Sequence, residues 1–214
     1  MLVKEIMSRQ VVTVSPNDTL QQALTRTTSH RIRHLPVVDE GRLVGIVSDR
    51  DLRDARPSSL FPAETSLGPS LLDQIPVSRI MHTSVITAHP LDPIDEAARL
   101  LYEHRIGCLP VLQAQQLVGI VTETDVLRRL VELTGATKPG SHLEVEVPDQ
   151  PGMLSAIAEI IKKHNVNISS ILTMPGTCPN CLVLALRLQV VDLRPIIRGI
   201  KALGYTVRWP VEPE

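Results

Sequence analysis

The chain repeats itself. Ile6-Met7 returns as Ile80-Met81, His30-Arg31-Ile32 as His104-Arg105-Ile106, Leu35-Pro36-Val37 as Leu109-Pro110-Val111, and Leu43-Val44-Gly45-Ile46-Val47 as Leu117-Val118-Gly119-Ile120-Val121. Every pair lies 74 positions apart, with about twenty identities over about fifty ungapped residues. The fold must therefore hold one supersecondary unit twice, related by a pseudo-twofold, and ligand sites between the halves come in pairs. Residues beyond 140 break the period, so a doubled unit is followed by something different.

A chain of 214 residues has room for two such domains. Its net charge of −1 gives no attraction to nucleic acid or anionic lipid. The four aromatics (Phe61, Tyr102, Tyr205, Trp209) are too few for a base-stacking platform. No apolar run reaches the roughly 20 residues that cross a bilayer. The opening Met1-Leu2-Val3-Lys4-Glu5 lacks a signal-peptide stretch, and three cysteines fit a reducing compartment. The expectation is a cytoplasmic protein with an aliphatic core, no membrane and no nucleic-acid partner.

Each copy reads strand, helix, strand, strand, helix. Val11–Val14 and Val85–Ala88 are short β-prone runs closed by Pro16 and Pro90. Asp18, with Gln21 three positions on, reads as a capping box, and Asp92 followed by Pro93 as the equivalent start in copy two. Leu35 to Asp39 and Leu43 to Ser48 form a hairpin across Glu40-Gly41, matched across Ala114-Gln115. The second strand delivers Ser48-Asp49-Arg50-Asp51 in copy one and Thr122-Glu123-Thr124-Asp125 in copy two. A hydroxyl followed three residues later by an acid is a helix cap. The same atoms also suit a ligand: free amides and a hydroxyl for phosphate, a carboxylate for both ribose hydroxyls, and Gly45 or Gly119 for close approach of a planar ring. Both readings stand on the residues alone.

Gly-Ile-Val-Ser-x-x-Asp and Gly-Ile-Val-Thr-x-x-Asp, each preceded by Leu-Pro-Val and an Ile-Met opening, resemble tandem cystathionine-β-synthase (CBS) domains over roughly residues 1–133. The resemblance implies a Bateman module that usually dimerises and binds adenine nucleotides or related adenosyl ligands in clefts between paired repeats. It assigns phosphate to Ser48 and Thr122, ribose to Asp51 and Asp125, and pocket positions to Thr13 and Thr87. The basic pair before Leu-Pro falls on Arg33 and His34, which copy two replaces with Gly107 and Cys108. Arg50 has Thr124 as its neutral counterpart. Two unequal sites are therefore expected, with phosphate drawn to Arg33, His34 and Arg50.

Arg56 to Pro69 is rich in proline and serine and reads as a linker. After a second linker, Leu143, Val145 and Val147 alternate as a half-buried strand. A helix carrying Leu154, Ile157, Ile160 and Ile161 follows, then two strands, a helix from about Asp192 to Leu203, and a last strand. This βαββαβ order is a ferredoxin-like split unit. Val147-Pro148-Asp149-Gln150-Pro151-Gly152-x-Leu154 with Asn165-Val166-Asn167-Ile168 resembles an ACT domain, a regulatory module that commonly pairs and binds amino acids at the shared edge. The family's ligand loop falls on Asp149, Gly152 and Asn167; Pro-Gly could equally serve only to shape the turn. A CBS pair followed by an ACT domain resembles the bacterial acetoin-utilisation regulatory proteins.

The fold class is thus α/β (α+β): CBS repeats over residues 1–56 and 75–133, linkers over 57–74 and 134–141, and an ACT-like domain over 142–214. No H-E-x-x-H, Gly-x-Ser-x-Gly, P-loop or Rossmann fingerprint is present, so no enzyme and no cofactor is expected. Cys178-Pro179-Asn180-Cys181 supplies two thiolates where a structural zinc wants four ligands, and reads as coincidental turn cysteines ahead of a metal or redox site. The function expected is a homodimeric regulatory sensor with adenine nucleotide as its ligand and an amino-acid-type effector at the ACT domain. The alternatives are a dimeric scaffold with vestigial clefts and a sensor centred on Cys178 and Cys181.

Overall fold

A computed structural model describes residues 1–55 and 72–211. Most of the linker read at 57–74 lies outside them. Two compact units are present, Met1–Leu127 and Arg128–Glu214. In the first, helix α1 (Leu20–His30) precedes strands β1 (His34–Asp39) and β2 (Arg42–Ser48) and helix α2 (Asp49–Asp54). Copy two runs α3 (Ile94–His104), β3 (Cys108–Gln113), β4 (Gln116–Thr122) and α4 (Glu123–Leu133). The two antiparallel hairpins join into one sheet of order β1-β2-β4-β3 through Arg42 opposite Gln116.

Three local readings change. Val11–Val14 and Val85–Ala88 are single parallel bridges, Val14 to Val37 and Ala88 to Val111. Among the described residues the main chain of the first run pairs around Val14, whose amide donates to Pro36 O at 3.1 Å and whose carbonyl accepts from Val38 N at 2.8 Å. The helices begin one residue later than expected. Thr19 is the cap of α1 and pairs reciprocally with Gln22, while Asp18 accepts from Ser15 N at 2.9 Å; Pro93, not Asp92, caps α3. The capping-box pattern was present in two overlapping frames, and the hydroxyl frame wins because Asp18 is spent on the preceding turn. Both helices end at a histidine followed by an arginine in the left-handed region (Arg31 and Arg105, φ 53°).

The repeats exchange their opening segments. Val3 N donates to Asp92 O and Ile120 pairs with Ser8, so residues 1–8 run along copy two. Symmetrically, Val77 N donates to Asp18 O and Ile46 pairs with His82, so residues 75–82 run along copy one. Val77 joins the core of Leu20, Leu35, Val37, Val47 and Leu52, and Val3 joins that of Leu101, Leu109, Val111 and Val121. Glycine permits the crossing. A Cβ on Gly45 would lie 2.7 Å from Met81 Sδ, and one on Gly119 2.6 Å from Met7 Sδ. The room attributed to a planar ring is taken by a methionine of the other copy.

The second unit holds β5 (Ser141–Pro148), α5 (Met153–Lys163), β6 (Ile168–Pro175), β7 (Cys181–Leu188), α6 (Arg194–Ala202) and β8 (Thr206–Trp209). Its sheet has order β6-β7-β5-β8, the split arrangement expected from the βαββαβ pattern. Leu143, Val145 and Val147 meet Ile157, Ile160, Ile161, Ile196 and Ile200 in one core. Leu154, read as part of the same apolar face, is instead exposed.

Two stability consequences follow from these contacts. Val3→Ala and Val77→Ala each remove two buried methyl equivalents and should each destabilise the first unit by about 2 kcal/mol in denaturant unfolding, where a surface valine would give about 0.5 or less. Both central residues of the second hairpin turn have positive φ without a glycine (Ala114 49°, Gln115 68°), against Glu40-Gly41 in the first. Gln115→Gly should therefore stabilise by about 1 kcal/mol, read as a higher Tm.

Candidate functional site

The exchanged segments place the opening loop of copy two beside the motif of copy one. Between them lies a cleft of about 760 Å³, within the size range of small-molecule sites. Its walls include Arg33, His34, Ser48, Asp49, Arg50 and Asp51 from copy one. Copy two contributes His82 to Ile86, Arg105 to Cys108, and Glu123. Five of the expected nucleotide-site residues of copy one therefore come together: Arg33, His34, Ser48, Arg50 and Asp51. Thr87 follows directly after the lining run, and Thr13, Thr122 and Asp125 lie outside this cleft.

The motif is a formed cap. Ser48 N and Ser48 Oγ donate to Asp51 Oδ2 at 2.7 and 2.6 Å, and Asp51 N donates back to Ser48 Oγ at 3.3 Å. Thr122 and Asp125 repeat this at 3.0, 2.6 and 3.3 Å. The expected free amides are fewer than the pattern suggested, because Asp49 N donates to Arg33 O at 2.8 Å and Asp51 N is used by the cap. The other carboxylate oxygen, Asp51 Oδ1, faces His82 Nε2 at 3.2 Å. Burial raises the Asp51 carboxyl, but the hydrogen bonds from the Ser48 hydroxyl and amide and from His82 outweigh it and hold the group below its ordinary value. The carboxylate is thus ionised at neutral pH and presents one oxygen to the cleft, with a displaceable imidazole upon it.

Two further groups set the charge. Burial, and then the Arg33 guanidinium, lower the His34 pKa, so its ring is neutral at pH 7. Gly107 is its steric complement, since a Cβ there would lie 2.8 Å from His34 Nε2. Burial, assisted by Glu123, pushes the Cys108 thiol up to about 12, which leaves it protonated and inert. Arg33 Nη2 reaches across to Thr124 Oγ1 at 3.2 Å, touching the copy-two motif from a copy-one position. Arg33, Arg50 and Arg105 line the cleft together with Asp49, Asp51 and Glu123. Sequence reasoning missed His82, Thr83, Ser84, Arg105 and Glu123. The offset held the signal, because a pseudo-twofold pairs the motif of one copy with the opening of the other.

In the second unit, Asp149 N donates to Asn180 O at 2.8 Å and Asn167 O accepts from Gln189 N at 2.9 Å, so both main chains fix neighbouring turns. Gly152 caps α5 with φ 93° and open space where a Cβ would project. A separate concavity of about 550 Å³ is lined by Ser141, His142, Asp192, Arg194 and Trp209 among others; Asp149, Gly152 and Asn167 do not line it. Cys178 and Cys181 are joined as a disulfide in the β6–β7 turn. Among the described residues, no helix is long and apolar enough to cross a membrane.

The CBS domain family model matches residues 3–58 and 77–132, and the ACT domain model matches residues 141–178. A CBS domain-containing protein of Dictyostelium discoideum is 37% identical over 142 residues, 65% of this chain and 98% of its own length. A candidate acetoin utilization protein (AcuB) from Vibrio cholerae is 36% identical with a TM-score of 0.52, covering 65% of this chain and 98% of that one. The CBS domain pair of protein MJ0100, solved with 5′-methylthioadenosine and S-adenosyl-L-methionine, is 32% identical with a TM-score of 0.52, covering 64% of this chain and 98% of that one. CBSX2, solved with AMP, is 30% identical with a TM-score of 0.51, covering 61% and 96%. The chain belongs to the CBS-domain family, with its tandem CBS pair followed by an ACT domain.

Proposed function

We propose that this protein is a regulatory sensor whose CBS clefts take an adenosyl ligand such as AMP, ADP, ATP or S-adenosylmethionine. The supporting observation is the cleft beside Asp51: an ionised carboxylate oxygen stands opposite His82, with Arg33, His34 and Arg50 on the same walls. Ribose hydroxyls would replace His82 on Asp51 Oδ1, and phosphate oxygens would lie toward the guanidinium groups. Ser48 would meet phosphate by turning its hydroxyl from the cap, and Thr87 flanks the same site. Thr13, Thr122 and Asp125 would form the paired site. There Thr124 stands in place of Arg50, so the paired site carries less positive charge of its own and its affinity for phosphorylated ligands is lower. The adenosyl compounds and AMP bound by the CBS structures compared above favour this ligand class.

In the same reading the ACT domain takes an amino-acid-type effector at Asp149, Gly152 and Asn167. The chain works as a closed homodimer in the cytoplasm, in acetoin utilisation, where the Vibrio cholerae likeness points. Ligand binding shifts the regulatory state by its differential affinity for two conformations, typically about 1–3 kcal/mol. No catalytic role is assigned. The competing reading is a scaffold with vestigial clefts, and one observation favours it: the motif hydroxyls and carboxylates are already satisfied by their own caps.

A thermal-shift series with AMP, ADP, ATP and S-adenosylmethionine separates the two. A bound member at a hundredfold excess over Kd stabilises the fold by about 2.7 kcal/mol, whereas no shift with any member favours the scaffold. By calorimetric titration, Asp51→Ala and Asp125→Ala should each weaken their own site by about tenfold or more, through loss of charge-assisted hydrogen bonds worth about 1.5–3 kcal/mol. Unchanged affinity in both refutes the pocket assignment. His82→Ala should instead tighten the first site, by up to about fivefold, since it removes an exposed hydrogen-bond competitor worth about 1 kcal/mol at most.

A further inference from the structure

The β6–β7 turn gathers three potential ligand groups that the CBS clefts do not use. Cys178 and Cys181 bracket it, with Cα atoms 5.3 Å apart. Main-chain bonds set that spacing: Cys181 N donates to Cys178 O at 3.1 Å and Gly176 N donates to Cys181 O at 2.9 Å. The turn therefore keeps the two side chains adjacent when the sulfurs are not bonded to each other. Asn180 supplies the left-handed residue (φ 61°) that closes it. The third group is Glu146 on β5, whose Oε1 accepts from Thr177 N at 2.5 Å and from Thr177 Oγ1 at 2.8 Å. The two sulfurs and a carboxylate oxygen of Glu146 all lie within 4.8 Å of one another.

Gly176 is an independent sign that the carboxylate is built into the turn. A Cβ there would lie 2.7 Å from Glu146 Oε1 and 2.7 Å from Cys181 Cβ. A side chain there would meet both Cys181 and the carboxylate, so glycine leaves the room that the two share. The Thr177 amide and hydroxyl both donate to the same Glu146 carboxylate oxygen. They also fix its orientation, as the outer-shell partners of metal ligands do.

We propose that Cys178, Cys181 and Glu146 form a redox-gated site for a thiophilic divalent cation of the zinc type, closed while the two sulfurs are bonded and open when they are reduced. Two thiolates and one carboxylate suit a borderline-soft cation and exclude calcium and magnesium, which take oxygen alone. Zinc bonds of about 2.3 Å to sulfur and about 2.0–2.2 Å to oxygen need the donors roughly 3.5–3.8 Å apart; the three donors lie within 4.8 Å of one another, and breaking the S–S bond lets the sulfurs separate. Three protein ligands leave the fourth tetrahedral position to water or an incoming ligand. Opening consumes a dithiol reductant: its two thiols become a disulfide, the protein S–S bond breaks, and each cysteine sulfur gains a proton. The cation then displaces those two protons and binds the dithiolate.

Cobalt(II) titration of the full-length protein tests this, because thiolate-to-cobalt charge transfer gives an optical band that oxygen ligands do not. Protein reduced with a phosphine should bind one cobalt per chain with that band, and zinc should displace it. Protein left oxidised should show none. Both arms use the unaltered chain, so the result does not depend on a variant folding. The Cys178→Ser and Cys181→Ser variants should lose the band, Cys108→Ser should keep it, and Glu146→Gln should weaken zinc binding by about tenfold or more. Absence of the band in reduced protein, or its persistence without Cys178 and Cys181, overturns the site. Unchanged zinc affinity in Glu146→Gln overturns the carboxylate's part.

Discussion

Each CBS repeat is completed by the opening segment of the other, and the first unit depends on that exchange. Val77 fills a core otherwise made of copy-one residues, Val3 does the same for copy two, and each segment pairs along the second strand of the opposite hairpin. The glycine in each Leu-Val-Gly-Ile-Val strand is the steric condition for it, because a methionine sulfur occupies the place of the missing side chain. The direct contact between the two hairpins is slight by comparison, with one register pair joining β2 to β4. The sheet alone would hold the copies together poorly; the swapped segments bind them with hydrogen bonds and buried valines.

The same exchange builds the cleft. The segment that delivers Val77 into copy one continues to His82, Thr83 and Ser84, which thereby stand opposite Asp51. Duplication then diverges at the side chains while the backbone stays paired. His82 corresponds to Ser8, Arg33 to Gly107, His34 to Cys108 and Arg50 to Thr124. Gly107 is more than a missing charge, since its empty side is where the His34 ring lies. Arg33, for its part, reaches Thr124 of the other motif. One copy-one position thus touches the motifs of both copies, and the halves are linked through side chains as well as through the fold.

The fold was legible because its strongest signals are local and redundant. Alternating Leu143, Val145 and Val147, the paired Leu-Pro-Val and Leu-Val-Gly-Ile-Val strands, and the hydroxyl-acid caps each specify an element without knowledge of the rest. What escaped was decided by competition or by tertiary contact. Thr19 and Asp18 offered rival caps, and only the turn at Ser15 shows which was free. Val11 to Val14 has strand propensity, but among the described residues it makes a single β-bridge, Val14 to Val37. Leu154 fits the apolar period of its helix yet faces outward. The candidate site was half legible: its copy-one residues recur in a motif, whereas His82, Arg105 and Glu123 matter only because the halves interlock. Cys178 and Cys181 gave a pattern without a third ligand, since Glu146 lies thirty-two residues upstream on another strand.

The interlock also sets an order of events during synthesis. Ser8 leaves the ribosome 112 residues ahead of its partner Ile120, a wait of roughly 5–20 s at ordinary elongation rates. Over that interval the β1–β2 hairpin can close, while the hollow that Val77 and Met81 will fill stays open until they emerge. Residues 1–8 are therefore made well before the strand on which they dock. Neither repeat is a finished folding unit, and a nascent chain halted between them exposes an unfilled core.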